Sequence, residues 1–299
     1  MESNKKTFKS GYVAIVGKPN VGKSTLINDF LGCKLSIVTP KPQTTRKKIM
    51  GVLTKEEYQI VFYDTPGVME PRYELQKYMV KEAFDAIEDA DVVLMMAEPF
   101  EPPTEWDKEI LKKLSQVNTP VILAINKIDL IEKDSLIPIL SAYDQQFKFA
   151  EIVPISALKG INLDLMLALI AKYLPEGEPF FPDDYMTDYN ERFLASEIIR
   201  EKVFEFYGEE IPYSTTVEIE EFKEREAGKD FIKAIIYVER DSQKGIIIGE
   251  NGKAIKRVGV IAREEIEKQI GRKVFLELWV KVMEKWRKDK KKMYKLGYK

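Results

Sequence analysis

Gly17-Lys18-Pro19-Asn20-Val21-Gly22-Lys23-Ser24 stands between the apolar run Tyr12-Val13-Ala14-Ile15-Val16 and the segment Thr25-Leu26-Ile27-Asn28. A strand enters, a glycine-bearing loop turns and a helix leaves. In that setting Gly-x-x-x-x-Gly-Lys-Ser is a P-loop. The backbone N–H groups of Gly17, Asn20, Val21 and Gly22 and the helix N-terminus at Thr25 surround phosphates, Lys23 reaches the β and γ oxygens, and Ser24 ligates Mg²⁺.

Working outward, Lys23 to Leu31 reads as a helix closed by Gly32. Residues 34–46 carry Pro40 and Pro42 in a polar run, a long connection with little order of its own. Its position after a P-loop helix suits a nucleotide switch that brings a second hydroxyl to Mg²⁺, and Thr45 is the better candidate beside Thr44. Residues 48–53 and 58–63 read as a hairpin. The second run delivers Asp64-Thr65-Pro66-Gly67 to the sheet end. Asp64 there can hold Mg²⁺ through water, and the Gly67 N–H can sense a γ-phosphate. Residues 68–80 are expected to be the loop that moves.

Residues 91–97 form a further buried strand, followed by a helix over 104–117 capped by Thr104. Residues 120–125 then lead into Asn126-Lys127-Ile128-Asp129. Asp129 can accept hydrogen bonds from N1–H and the 2-amino group of guanine, neither of which adenine presents. Lys127 would lie along the purine face and Asn126 would tie this loop to the P-loop. A last strand at 151–155 precedes Ser156-Ala157-Leu158, where the Ala157 N–H is placed to read guanine O6, and residues 161–174 close the domain as an amphipathic helix. The nucleotide expected is GTP or GDP with Mg²⁺, and Lys23, Thr45, Asp64 and Gly67 are the candidate catalytic group.

Val68 follows Gly67, where Ras-like proteins carry the glutamine that orients the attacking water. Valine does neither, so slow intrinsic hydrolysis is expected. Asn20 is a candidate to offer its amide oxygen to K⁺ bridging the α and γ phosphates; equal turnover in K⁺ and Na⁺ would contradict that.

Composition bounds the rest. The 299 residues include one cysteine, Cys33, and no histidine, which excludes an intrachain disulfide and a Cys/His metal cluster. No run approaches a membrane span, and Met1 to Lys6 opens no signal peptide, so a cytoplasmic protein is expected. Net charge is −2, but residues 241–299 hold 17 Lys+Arg against 8 Asp+Glu. An anionic partner belongs there.

Residues 176–188, with Pro179 and Pro182, read as a linker between a domain at 1–175 and one at 189–299. The second reads α-β-β-α-α-β: a helix at 190–206, strands at 214–222 and 231–240, helices at 243–248 and 252–270, and a strand at 273–280. Between its later helices lies Ile248-Gly249-Glu250-Asn251-Gly252-Lys253. Gly-x-x-Gly in that position matches a KH domain, whose loop clamps single-stranded RNA. Lys253, Lys256 and Arg257 share one helix face beside it. Glu250 departs from the basic residue KH loops often carry. In the tail from Lys285 to Lys299, Trp286, Tyr294 and Tyr298 are interleaved with eight Lys/Arg, which suits RNA backbone contact with base stacking or, alternatively, an anionic membrane surface.

Taken together, Gly17 to Ser24, Gln43-Thr44-Thr45-Arg46, Asp64 to Gly67, Asn126 to Asp129, Ser156 to Leu158, Glu191-Arg192-Phe193 and Glu197 to Lys202 resemble the Era family of bacterial GTPases. The resemblance covers nearly the whole chain. It implies an α/β P-loop GTPase domain, a mostly parallel six-stranded sheet with helices on both faces, followed by an α+β type II KH domain. It implies a role in 30S ribosomal subunit maturation, with the KH domain holding the 3′ end of 16S rRNA under GTP control. It also implies peripheral contact with the cytoplasmic face of the inner membrane as an option. The other reading is a membrane-associated cell-cycle scaffold. A monomer with no DNA partner is expected.

Overall fold

The computed structural model describes residues 7–299, so the expectation for Met1 to Lys6 lies outside the described residues. The chain divides into two compact units. The first holds the described residues up to Ser36, with Thr45–Arg72 and Gln76–Asp188; the second holds Ile37–Thr44, Tyr73–Leu75 and Tyr189–Lys299.

In the first unit the elements run β1 (Lys9–Gly17), α1 (Lys23–Leu31), β2 (Ile49–Thr54), β3 (Tyr58–Asp64), α2 (Glu74–Glu88), β4 (Val92–Ala97), α3 (Glu105–Leu114), β5 (Val121–Ile125), α4 (Lys133–Asp144), β6 (Glu151–Pro154) and α5 (Leu163–Tyr173). The sheet order is β2-β3-β1-β4-β5-β6, antiparallel only between β2 and β3. Continuous apolar strands follow from burial on both faces. Val13 and Ile15 of β1 pack with Leu26 of α1 and Met166 of α5, while Ala14 and Val16 pack on the other face with Ile87 of α2, Ile110 of α3 and Ile139 of α4. Because β1 is flanked by β3 on one side and β4 on the other, its C-terminal end opens onto the crevice where chain order reverses. That is where a ligand site forms in such sheets.

Two sequence expectations change here. Residues 68–80 are not one open loop, since α2 begins at Glu74. Leu75, Met79, Ala83 and Ile87, four apart along the helix, are buried. That spacing is the signal of an amphipathic helix. Residues 176–188 run as an ordered strap on the first unit. Gln59, fully buried in β3, accepts from the N–H groups of Phe180 (2.7 Å) and Phe181 (3.0 Å), and Phe180 stacks on Tyr12 at 5.1 Å. The Val52 N–H donates to the Met186 carbonyl at 2.8 Å, so the strap also covers the β2 edge. Helix α4 was not anticipated either; it carries Pro138 internally.

The second unit contains α6 (Glu191–Phe206), α7 (Ile211–Ser214), β7 (Thr216–Lys223), β8 (Asp230–Val238), α8 (Asp241–Ile248), α9 (Lys253–Ile270), β9 (Val274–Val282) and α10 (Lys290–Lys295). Its sheet order is β7-β8-β9, with β7 antiparallel and β9 parallel to β8. Ile198 and Ile199 of α6 and Val258, Ala262 and Ile266 of α9 bury against Ile232, Ala234, Ile236 and Val274. Apart from the short α7 and α10, this is the α-β-β-α-α-β order of a type II KH fold.

Candidate functional site

The loop after β1 packs so closely that only glycine fits at its turning points. A Cβ at Gly17 would lie 2.3 Å from the Met96 carbonyl oxygen, and one at Gly22, where φ is +102°, would lie 2.2 Å from Asn126 Nδ2. Asn126 is the tie between loops: its Nδ2 donates to the Val21 carbonyl (2.7 Å) and its Oδ1 accepts from the Ala157 N–H (2.9 Å). That second bond amends the sequence expectation, because the Ala157 N–H is engaged by Asn126 rather than left pointing at a base. The next side chain, Leu158, is 76% exposed. Asn20 is exposed in a left-handed conformation (φ +66°), and Thr25 lies half-buried in the first turn of α1.

At the phosphate end, Ser24 Oγ donates to Asp64 Oδ2 at 2.7 Å and lies 3.1 Å from Thr45 Oγ1, which itself is 3.3 Å from Asp64 Oδ2. Asp64 is fully buried and its Oδ1 has no hydrogen-bond partner. Burial pushes its carboxyl above the usual range, against the hydrogen bonds from Ser24 and Thr45 and the charge of Lys23. Two hydroxyls and a carboxylate with an orphaned buried oxygen fit Mg²⁺, whose hard charge matches an all-oxygen site completed by water and phosphate. Of the two threonines, Thr45 reaches this cluster; the Thr44 carbonyl accepts from Arg200 at 2.5 Å within the second unit. The Gly67 segment lies against the P-loop, since a Cβ there would meet Pro19 N at 2.5 Å, and the Val68 N–H donates to the Gly17 carbonyl at 3.0 Å. Val68 itself is buried in the core, so its side chain cannot order a water. Thr65, unremarked in sequence, donates its hydroxyl to the Ile15 carbonyl at 2.6 Å and locks this segment to β1.

Lys23 is 6% exposed and donates to the carbonyls of Gly17 (3.2 Å) and Lys18 (2.9 Å). Burial brings its ammonium down to about 8 from 10.5, with Asp64 and Glu98 opposing the shift. Between those two values the fold holds fewer protons than the unfolded chain, so its stability rises with pH across that window. A phosphate placed at Lys23 would favour the charged form. Nucleotide binding above about pH 8 therefore takes up a proton, and GDP affinity is expected to fall about tenfold per pH unit there. Calorimetric titration in two buffers of different ionisation enthalpy measures this directly; a flat profile would show that Lys23 stays charged without phosphate.

At the base end, Ser156 Oγ donates to Asp129 Oδ1 at 2.5 Å and accepts from the Lys159 N–H at 3.2 Å, which fixes the carboxylate. Lys127, in a left-handed conformation (φ +67°), pairs through Nζ with Glu98.

In the second unit, α8 ends at Gly249 (φ +68°) and the chain turns through Asn251 (φ +51°) and Gly252 (φ +74°) into α9. A Cβ at Gly249 would lie 2.5 Å from the Ala254 Cβ. Ile248 is half-buried, whereas Glu250, Asn251, Lys253, Lys256 and Arg257 are exposed; Arg257 also lies over the Phe206 ring at 4.8 Å. Beside them runs a groove of about 240 Å³ lined by Ile255, Lys256, Gly259, Val260, Arg263, Leu276 and Leu278. Sequence reasoning missed its apolar members. Their signal was Gly259 of α9, where a Cβ would lie 3.3 Å from Leu278 Cδ1 of β9.

The tail departs from its expected role. Trp286 is fully buried and donates its indole N–H to the Ser214 carbonyl at 2.8 Å; Tyr298 is 7% exposed and stacks on it at 5.8 Å. These two rings are core, and of the three tail aromatics only Tyr294 is exposed.

Comparison with known proteins agrees with both halves. The family described as 50S ribosome-binding GTPase matches residues 12–127, and the KH domain family matches residues 210–287. GTPase Era of Geobacter metallireducens is 50% identical over 292 residues, spanning 97% of this chain and 98% of that protein, and GTPase Era of Clostridium botulinum is 47% identical over 98% of this chain and 99% of that protein. Among solved structures, a variant of Aquifex aeolicus Era bound to GDP and AlF4⁻ superposes with a TM-score of 0.94 at 46% identity, covering 97% of this chain and 99% of that one. Era in complex with MgGDPNP and nucleotides 1506–1542 of 16S ribosomal RNA superposes equally well, with a TM-score of 0.94 at 47% identity and the same coverage. With half its residues shared across both the P-loop and the KH regions, this chain belongs to the Era family of GTPases and is a GTP-hydrolysing enzyme.

Proposed function

We propose that this GTPase is a nucleotide-controlled RNA-binding switch that holds the 3′ end of 16S rRNA during 30S subunit assembly. One observation carries the control: Ile37–Thr44 and Tyr73–Leu75, which flank the nucleotide-sensing residues in sequence, belong to the compact unit built on the KH fold. Within that unit Lys41 Nζ donates to the carbonyls of Phe204 and Tyr207 at the C-terminal end of α6, where the helix dipole favours a cation. Arg200, 2% exposed, holds the Thr44 carbonyl, and Tyr73 lies under Arg287 at 4.9 Å. Thr44 precedes Thr45, the residue whose hydroxyl reaches Ser24, so a change at Thr45 between GTP and GDP pulls on backbone that α6 grips.

For the RNA, the support is the Gly249–Gly252 turn, exposed at Glu250 and Asn251, with Lys253, Lys256 and Arg257, the apolar groove, and the rRNA-bound relative. For the nucleotide, Lys23 and the P-loop N–H groups would hold the phosphates, Ser24, Thr45 and Asp64 through water would hold Mg²⁺, and Asp129, with Lys127 along its face, would read guanine. Mg²⁺, when bound, neutralises charge on the β and γ phosphates. Gly67 N–H would meet the γ-phosphate. With Val68 in the core, backbone groups and a K⁺ held by Asn20 are the proposed substitutes for a water-orienting glutamine. The proposed setting is the cytoplasm. The membrane-scaffold reading, which uses the basic tail for lipid, is not favoured, because the rRNA-bound relative supports RNA as the anionic partner.

The test is binding of a short single strand from the 3′ end of 16S rRNA to protein loaded with GDP or with a non-hydrolysable GTP analogue. Tight binding that differs between the two states is expected. Equal weak binding in both, lost alike for any RNA at moderate salt, would refute the proposal.

A further inference from the structure

The connection from β4 to α3, residues 98–104, is acidic and stiffened by Pro99, Pro102 and Pro103. It touches both halves of the nucleotide site through lysines. At its start Glu98 pairs with Lys127 of the base loop. At its end the group at the head of α3 receives Lys18 of the phosphate loop: Lys18 Nζ lies 3.0 Å from Asp107 Oδ2, 3.3 Å from Thr104 Oγ1 and 3.3 Å from Glu101 Oε1.

Lys18 is one of the x positions of Gly-x-x-x-x-Gly-Lys-Ser, and the motif assigns it nothing. Its side chain is nevertheless 16% exposed, and its partner Asp107 is fully buried. Asp107 has a second task, since its Oδ2 also accepts from the Thr104 N–H (2.9 Å) and Thr104 Oγ1 (2.6 Å), closing the capping box of α3. The anchor is therefore rigid before Lys18 reaches it. On the other side, the Lys18 carbonyl accepts the Lys23 ammonium at 2.9 Å. A line of contacts thus runs from the α3 cap through the Lys18 side chain to its backbone and on to the lysine that takes the phosphates. Burial lowers the Lys18 pKa, but Asp107 and Glu101 outweigh it and the net shift is upward, so Lys18 stays charged at any physiological pH.

We propose that Lys18 is a positioning residue for guanine nucleotide: moored to Asp107, it holds the P-loop backbone and Lys23 in the phosphate-binding arrangement. Preorganisation of this kind raises affinity by removing the ordering cost at the moment of binding. It acts where Lys23 acts, on the β and γ phosphates, and leaves the base contacts alone. The inference rests on the P-loop being the nucleotide site, which tight GDP binding by the unaltered protein checks separately.

Lys18→Met alone strands the buried Asp107 carboxylate, so the informative set adds Lys18→Arg, which keeps the ion pair, and Lys18→Met with Asp107→Asn, which removes both charges while an amide oxygen still caps α3. Each is measured for GDP and GMP affinity, GDP dissociation rate and melting temperature. Expected for Lys18→Met is a loss of GDP affinity of about tenfold or more, carried by faster dissociation, with GMP affinity within about twofold. Lys18→Arg should bind GDP within about threefold of the unaltered protein. The double variant should regain the melting temperature and keep the GDP defect. GDP affinity within twofold of the unaltered protein in the double variant would overturn the proposal, as would equal losses for GDP and GMP in that folded variant.

Discussion

Asp129→Asn is expected to lower GTP affinity by about 10³-fold and to create binding of xanthosine triphosphate where the unaltered protein has none. Ser156 Oγ donates to Asp129 Oδ1, so the carboxylate is held in one orientation and cannot turn to spare a mismatched partner. Guanine offers two donors, N1–H and the 2-amino group, to its two oxygens. Asparagine keeps one acceptor, which the N1–H still meets, but presents an N–H₂ to the 2-amino group, so two donors face each other. Xanthine places a carbonyl at that position and restores the pair. Because the Ala157 N–H serves Asn126, little else in this loop compensates a base mismatch. Competitive titration of GTP and XTP against a fluorescent nucleotide gives both constants. Unaltered GTP affinity would mean that the base is read elsewhere.

Replacing Lys253, Lys256 and Arg257 together by Glu is expected to lower single-stranded RNA affinity by about 10³-fold or more near physiological salt. The change reverses three charges beside the Gly249–Gly252 turn, turning counterion release into repulsion. Lys253 and Lys256 are exposed, so their replacement should leave the fold unstrained. Arg257 covers the Phe206 ring, and its loss costs about 1 kcal/mol of local packing at an exposed site. GTP turnover and melting temperature should therefore stay close to those of the unaltered protein, which separates lost binding from lost folding. Fluorescence anisotropy across a salt series reads the result. RNA binding that persists with an undiminished salt slope would place the interface on the tail, whose exposed lysines remain.

Legibility of the nucleotide site in the sequence has a local cause. Gly17, Gly22, Lys23 and Ser24 lie within one turn and one helix start, so the pattern that marks them is complete within a few residues of sequence. The same holds for Gly249 to Gly252. Asn126 was assigned to the P-loop tie because a strand end places it there. What failed was inference from position alone. Residues 68–80 were read as loop because they follow Gly67, although Leu75, Met79, Ala83 and Ile87 carry a helical period. Trp286 and Tyr298 were read as stacking platforms because they sit among lysines, yet the carbonyl of Ser214, 72 positions from Trp286, and the hydroxyl of Thr216, 82 from Tyr298, take them into the core. A large aromatic in a basic tail gains more by burial than by waiting for a base, provided a polar partner exists for its N–H or O–H.

Two kinds of determination remain distinct. The order of motifs and the alternation of apolar strands with helices settled the fold class, the identity of the nucleotide and the placement of an RNA-binding domain behind it, since each rests on residues close in sequence whose chemistry is complete in themselves. Only tertiary structure decided that the Ala157 N–H belongs to Asn126, that residues 176–188 are a strap anchored on Gln59, and that Lys18 is moored to Asp107. Each of these is a choice between neighbouring or chemically equivalent partners. The choice turns on an ångström or two of approach between segments 31 to 121 residues apart, a distance over which sequence carries composition but no geometry.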